Sequence, residues 1–502
     1  MAPFYQNLPF FSIVACMLTG IFTSLIHDGK KAFFLHCGLL CTVAAAQLVT
    51  LRNVAAAGIA FDYQVGIVGH PWGNELRVGP LEATLGLCFS VVMLMCVLGG
   101  WEDLQHDVHP QKLPLYFVMC DLLLASLLAL VYTNDLFTAY VFIEINTIAS
   151  CALVMAKDNG LTIAATMRYM VMSLLASGLF LFGLSLLYWI TGQLLIPNVR
   201  EAIQAMHASG AYAVPLTLIC GMMITGLSVK SALYPFHTWL PDAHGSATTS
   251  SSAILSGLVL KGYITLILKI ICQVLTPEIY RDLHLNDVLL VMGVVAMIAG
   301  SLNAIWETHV KRMIAFSSVA QIGYIFLGIG LGTPAALAAA VYQILVHAFT
   351  KPLLFCCAGE LASANWHHKH LYYLRGAGHH APLAGFGFTL GGLSMVGVPL
   401  LGGFAVKFYL ADAALLEGWQ LVVALGALAA SSVLNALYYL PAIINIWSKD
   451  LHDDPDPLPG LLRKPVQPSF AVSTTVLSAG AVGLGLFLAP VTALLLLGLG
   501  LM

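Results

Sequence analysis

Residues 226–245 read Gly226-Leu-Ser-Val-Lys230-Ser-Ala-Leu-Tyr-Pro235-Phe-His-Thr-Trp-Leu-Pro241-Asp-Ala-His-Gly245. This stretch continues an apolar run long enough to span a bilayer, yet it holds a lysine, two prolines, His237 and His244. A lysine at the centre of a spanning helix costs about 2.5–3.5 kcal/mol on insertion scales. Proline and glycine interrupt the helix and free backbone groups, which at bilayer depth is tolerated only inside protein or beside water. A second stretch has the same make-up: Gly391-Gly-Leu-Ser-Met-Val-Gly397-Val-Pro399-Leu-Leu-Gly402-Gly-Phe-Ala-Val-Lys407. Interrupted segments at matching places in two halves of a chain point to an ion path.

The rest of the chain agrees with a membrane setting. Of 502 residues, 59% are hydrophobic and 9% charged, against about 25% charged in soluble domains. Mean hydropathy is +0.88. A net charge of −3 excludes a general attraction to nucleic acid, and the apolar surface must face lipid. The eleven cysteines lie scattered in apolar runs without a C-x-x-C pair, as small buried hydrophobes do. The first apolar run lacks a basic leader and a cleavage site, so it reads as a retained helix.

At about 20 residues per crossing, the apolar runs predict an all-α polytopic membrane protein of about 14 transmembrane helices: 8–26, 32–50, 81–100, 113–131, 135–156, 164–190, 213–239, 247–273, 286–305, 312–331, 335–360, 383–411, 418–447 and 470–500. Segments 52–80 and 448–468 read as polar loops. Residues 1–502 form a single membrane domain: N-terminal helices (1–112), a first repeat (113–273), a second repeat (286–447), and a C-terminal loop and helix (448–502). Lys230 falls on the seventh span and Lys407 on the twelfth, five crossings later. An odd number of crossings inverts the second copy, so spans 4–8 and 9–13 are expected to be inverted five-helix repeats with broken helices 7 and 12.

Basic residues set the orientation. Loops after odd-numbered spans hold Lys30, Lys31, Lys112, Lys157, Arg168, Lys311, Arg312, Lys369, Arg375, Lys449, Arg463 and Lys464. Loops after even-numbered spans hold Arg52, Arg77, Arg200, Lys269 and Arg281. Twelve against five predicts a multi-pass protein of the cell's inner (cytoplasmic) membrane with both termini on the non-cytoplasmic side. Lys230, Lys261, Lys351 and Lys407 are assigned to no loop.

Lys230, Lys261, Lys407 and Glu144 lie well inside spans, at a joint cost on the order of 10 kcal/mol before pairing. They are either internal ion pairs that lock helices or carriers of protons. Burial disfavours a lysine's charged form and a nearby carboxylate restores it, so moving the partner switches the lysine between holding and releasing its proton. His347 and Lys351 are four apart and share a helix face, and histidine relays protons readily. His237 and His244 could relay with them or cap helix ends. The run Thr248-Thr-Ser-Ser251-Ser, with Ser251, could bind water or freed backbone, or serve close helix packing. The clusters Trp366-His-His-Lys-His370, His379-His380, and His106 with His109 read as solvated loops, so no metal is expected. No P-loop, dinucleotide fingerprint, haem or iron–sulfur cysteine set occurs. The expectation is no cofactor and no redox chemistry in this chain, with a partner or an ion gradient as the drive.

Three motifs resemble a known family: Lys230-Ser-Ala-Leu-Tyr-Pro-Phe-His-Thr-Trp-Leu-Pro-Asp-Ala-His244 leading to Ser256-Gly-Leu-Val-Leu-Lys261-Gly; Lys311-Arg-Met-Ile-Ala-Phe-Ser-Ser-Val-Ala-Gln-Ile-Gly-Tyr324; and His347-Ala-Phe-Thr-Lys-Pro-Leu-Leu-Phe355. Over essentially the whole chain the sequence is similar to the antiporter-like proton-conducting subunits of respiratory complex I, Mrp-type Na⁺/H⁺ antiporters and membrane-bound group 4 hydrogenases. The resemblance implies a gating pair in Glu144 and Lys230, a bridging lysine in Lys261, a terminal lysine in Lys407, and His347 between those last two. It also implies other membrane subunits as partners, with a peripheral redox arm in the redox-linked members, and protons as the ion carried, with carriage of Na⁺ left open. Lys407 in Phe-Ala-Val-Lys-Phe-Tyr is more like the Mrp D-type and hydrogenase-type members than the complex I subunit that has glutamate there. The Thr-Thr-Ser-Ser-Ser run departs from the Pro-containing stretch frequent in the family. The expected lack of a long amphipathic helix after the last span argues against the largest complex I member. A subunit of a redox-driven pump is preferred, with an Mrp-type antiporter subunit as the alternative. A carrier of organic solutes would need a convergent pocket, and a purely structural subunit would tolerate Met or Leu at the lysines.

Overall fold

The computed structural model describes residues 4–66, 74–210, 212–415, 418–448 and 465–500. Lys449, Arg463, Lys464 and most of the expected 448–468 loop lie outside the described residues.

The described chain is almost wholly helical. Thirteen helices are long and apolar enough to cross a membrane, and two shorter pieces in line supply a further crossing. In chain order, α1 (Leu8–Ser24), α2 (Gly29–Ala57) and α3 (Pro80–Gly99) form the N-terminal group. The first repeat comprises α4 (Leu113–Tyr132), α5 (Leu136–Met155), α6 (Gly160–Thr191), the surface helix α7 (Ile196–Ser209), α8 (Ala213–Lys230), α9 (Trp239–Ser246) and α10 (Thr249–Leu275). The second comprises α11 (Leu285–Trp306), α12 (Val310–Leu331), α13 (Pro334–Ser363), α14 (Pro382–Val396), α15 (Gly402–Ala414) and α16 (Gly418–Trp447). Helices α17 (Pro468–Leu486) and α18 (Leu488–Gly500) follow, so the expected last span 470–500 is bent near Phe487. In each repeat three long helices precede a pair of half-helices and a fifth crossing. The breaks fall at 231–238 and 397–401, as the two opening stretches lead one to expect.

In lipid a helix must satisfy its own backbone, and the ends here are closed locally. Asp28, Asp135, Asn159, Thr248 and Thr333 accept from amides of the turns they begin. Gly192 and Gly332 end α6 and α12 with φ near 65°, the left-handed cap that glycine adopts without strain.

The described residues of segment 52–80 form more than a polar loop. Helix α2 runs through Ala57, and β1 (Phe61–Val65) pairs antiparallel with β2 (Asn74–Val78), Phe61 opposite Val78. The hairpin joins the α4–α5 turn, where Asn134 donates its amide to the Glu75 carbonyl at 2.9 Å. Leu136 and Ile196 tie the same turn to the start of α7. This face, called here the terminal face, also carries the start of α1 and the end of α18, since successive crossings alternate.

The centre of the molecule is α10, α12 and α13. The apolar window of α10 is wholly buried, while fewer than half of the residues in those of α1, α11 and α17 are buried. Trp189, Trp306 and Trp419 stand exposed at helix ends, the depth where indoles favour headgroups. Helix α10 is not a uniform α-helix: Leu255–Val259 and Ile270–Leu275 are π-helical.

Candidate functional site: a line of buried lysines

The helix breaks and the widened turns do the same thing: each frees a carbonyl, and lysines occupy several of them. Lys407 lies one and a half turns into α15 and reaches back to the end of α14, donating to Val396 O at 2.5 Å and Met395 O at 3.3 Å. Those carbonyls form the negative pole of a half-helix, which favours a cation. Lys407 also stands 5.6 Å from the centre of the Tyr324 ring. Lys261, fully buried, donates to Ser256 O inside the first π-helical segment and contacts His347 Nδ1. π-Turns recur at functional sites because they leave such groups unpaired.

Lys230 is the last residue of α8 and is 1% exposed. It donates to Thr147 Oγ1 at 2.7 Å and lies 5.4 Å from the Tyr263 ring centre. The carbonyls freed by the break below it are taken up nearby: Ser228 O by the Leu233 amide and Val229 O by the Trp239 indole. Glu144 is half-buried and precedes Thr147 by three residues on α5; its charge acts on Lys230, but Thr147 holds the direct bond, and Glu144 Oε1 has no partner.

The groups form a sequence across the bundle. Tyr263, on α10 with Lys261, donates to Asn146 Oδ1 at 2.9 Å and meets the Thr147 hydroxyl at 3.5 Å, which links the Lys230 end to α10. Beyond His347, Lys351 is four residues on along α13 and donates to Ser317 Oγ at 2.8 Å, Ile314 O at 3.1 Å and the Tyr439 hydroxyl at 3.3 Å. Tyr438 then bonds Asn435, whose amide donates to Met395 O at 3.3 Å, a carbonyl that also receives Lys407. Lys230, Lys261, His347, Lys351 and Lys407 therefore follow one another along a polar row through both repeats, in clusters joined by hydrogen bonds and separated between Tyr263 and Lys261 and between His347 and Lys351.

The other candidates sit off that row. Ser251 bonds Tyr116 at 3.1 Å, Thr248 at 2.8 Å and Leu153 O at 2.7 Å, fastening the start of α10 to α4 and α5. His237 stacks on Tyr234 in the turn after the break. His244 is no surface cap: it is fully buried in α9, stacks on Phe355, and has no partner at either nitrogen.

The structure also moves basic residues that the sequence assigns to loops. Arg168 lies within α6 and Lys311 in the first turn of α12, buried and donating to Ala247 O at 3.2 Å. Lys269 is fully buried in α10 and donates to Thr133 O at 2.8 Å. It escapes a sequence reading because it falls four residues from the apparent end of its span. A buried His36–Asp121 pair at 2.5 Å, joining α2 of the N-terminal group to α4 of the first repeat, escapes as well, since its partners are 85 residues apart.

A family model described as NADH:quinone oxidoreductase/Mrp antiporter, TM, matches residues 133–433, which contain every lysine of the row. The chain belongs to this NADH:quinone oxidoreductase/Mrp antiporter membrane family. A member from Desulforudis audaxviator, the NADH-quinone oxidoreductase subunit N, is 31% identical over 480 residues, covering 91% of this chain and 90% of its own. The family fold is shared with a chain of the membrane-bound sulfane sulfur reductase, an archaeal respiratory membrane complex (TM-score 0.85, 24% identity, 99% of this chain and 97% of that one). It is shared equally with a chain of the Mrp complex from Dietzia sp. DQ12-45-1b (TM-score 0.85, 22% identity, 100% and 97%).

Proposed function

We propose that this chain is the proton-translocating membrane subunit of a redox-driven, complex I-like assembly in the cell's inner membrane. The observation that carries this reading is the succession of lysines inside the bundle, Lys230, Lys261 and Lys351 buried and Lys407 half-buried, with Thr147, His347 and Tyr439 among their direct contacts. The whole-length likeness to an NADH-quinone oxidoreductase subunit supports the redox drive. Electron transfer then takes place in a peripheral arm, and neighbouring membrane subunits transmit it. Both termini face the non-cytoplasmic side.

In the mechanism, a signal from a neighbouring subunit moves Glu144 relative to Lys230. With the carboxylate withdrawn, the Lys230 ammonium gives a proton toward Lys261. The Lys261 amine takes it up and passes one on through His347 to Lys351, and Lys407 releases one to the outer side. Thr147 and Tyr263 hold the hydroxyls between the first two stations. Each proton moved against 100 mV requires about 2.3 kcal/mol, which the redox partner must provide.

The test is proton transport by the intact complex in sealed vesicles, with Lys230→Ala beside wild type and assembly checked by native gel. Transport reduced tenfold or more in an assembled complex is the expected result; normal transport would show that the lysines are structural. The Mrp reading rests on the equally good superposition on an Mrp chain. It predicts transport driven by a Na⁺ gradient with no response to an electron donor, whereas the redox reading predicts the reverse.

A further inference from the structure

Helix α10 carries polar side chains beyond the bridging lysine that the route above does not use. Lys261, Thr265, Lys269 and Gln273 follow at intervals of four, all buried. In an α-helix each such step overshoots a turn by about 40°, so the first three share a face. The second π-helical segment begins at Ile270, and its wider turn holds Gln273 back toward that face. The Thr265 hydroxyl bonds Lys261 O at 2.8 Å.

This stripe ends in a cavity on the terminal face. The cavity has a volume of about 400 Å³ and is lined by Asn134, Gln204 and Gln273 among others, with room for roughly a dozen waters at ~30 Å³ each. Gln273 is 3% exposed, and neither its side-chain oxygen nor its nitrogen has a partner. Buried amides left in that state are rare. Asn134 Oδ1, in the same wall, is likewise unpartnered. The residue before it, Thr133, receives Lys269. Glu82, at the start of α3, is buried; its Oε2 accepts from the Gly79 amide at 3.0 Å and its Oε1 has no partner.

We propose that α10 provides a second outlet for the transported proton within the first repeat, running from Lys261 past Thr265 to Lys269 and through the Gln273-lined cavity to the terminal face. The proposal rests on the proton-path reading above. A proton leaves the Lys261 ammonium, passes by way of water along the Thr265 face of α10, and is taken up by the neutral Lys269 amine. The ammonium so formed, held by Thr133 O, returns one proton to water in the cavity. One proton enters the branch and one leaves, and no other bond changes.

The experiment uses the intact complex in sealed vesicles and counts protons moved per electron donor oxidised. Lys269→Arg retains a hydrogen-bond donor for Thr133 O but stays protonated and cannot give up a proton. The expected result is a ratio about twofold below wild type, as the loss of one of two outlets requires, for both Lys269→Arg and Lys269→Met. A structural lysine would be rescued by arginine, so a wild-type ratio in Lys269→Arg overturns the branch. Lys230→Ala runs alongside: if it collapses while Lys269→Arg is normal, only the branch is wrong, and if Lys230→Ala is also normal, the proton-path reading itself fails. Should the lysine variants not assemble, Gln204→Cys decides, compared with and without a membrane-impermeant cationic thiol reagent added at the terminal face. Labelling should lower the ratio about twofold, and complete labelling with no change overturns the proposal.

Discussion

At the residue scale, Thr147 stands where a simple ion pair was expected. Glu144 and Lys230 are both legible in the sequence because a charge in an apolar run is conspicuous; a threonine three residues on is not, and only the fold, which brings the end of α8 within reach of α5, gives it the Lys230 bond. Thr147→Val keeps the shape and removes the hydroxyl. A hydrogen bond to a charged group is worth about 1.5–3 kcal/mol, so proton transport should fall roughly tenfold or more in a complex that still assembles, as measured in sealed vesicles. A second expectation concerns His309, which precedes α12 and accepts the Arg312 amide through Nδ1 at 3.4 Å. Burial, then the neighbouring Lys369, lowers its pKa to about 4. Since this lies below the unfolded value of about 6.5, the cap contributes fully above pH 6.5 and is lost as pH falls toward 4. The effect is on the order of 1–2 kcal/mol once partial exposure is discounted. Hydrogen exchange at the Arg312 amide should therefore speed up across that window, and stay flat in His309→Asn.

At the element scale, the broken helix of the second repeat depends on close backbone approach. A methyl group on Gly403 would overlap the Ser394 carbonyl oxygen across the break, in the turn whose next two carbonyls hold Lys407. Gly403→Ala should force α14 and α15 apart and cut the amount of assembled complex at least tenfold on a native gel. Gly426→Ala, on the exposed side of α16 with open space around it, should leave assembly unchanged or raise it, in keeping with the helix preference of alanine over glycine, about 1 kcal/mol. Both breaks were readable from proline and glycine density. The widened turns of α10 were not, because Leu255–Val259 has the composition of an ordinary apolar helix and is shaped by its packing. The hairpin over 61–78 was missed for a related reason: its strands are five residues each and draw their support from the α4–α5 turn, distant in sequence.

At the scale of the whole molecule, the count of crossings and their alternation were set by hydropathy alone. Their order around the centre was not, since α10, α12 and α13 are no more apolar than the helices that face lipid. The two faces make a direct prediction. Lys112→Cys lies with the basic loops and Ser209→Cys, at the end of α7, with the hairpin, and both positions are exposed. In right-side-out vesicles an impermeant thiol reagent should label Ser209→Cys over the wild-type background and leave Lys112→Cys untouched, with the reverse in inverted vesicles. The opposite pattern would turn the protein over and make the α10 branch an inlet.

The wide turn at Leu255–Val259 also sets how this helix can change in length. Such a turn absorbs one residue beyond what a regular helix needs while the flanking segments keep their facing. Excising Leu258 should thus be accommodated: the flanks stay in register, the bilayer is still crossed, and what disappears is the spare carbonyl of Ser256. Excising Ile264, in the regular stretch between the two wide turns, has no slack to draw on and swings Lys269 and Gln273 by about 100°. Two deletions six residues apart would then part company: the first yields an assembled complex that transports slowly, and the second a helix that no longer fits its neighbours.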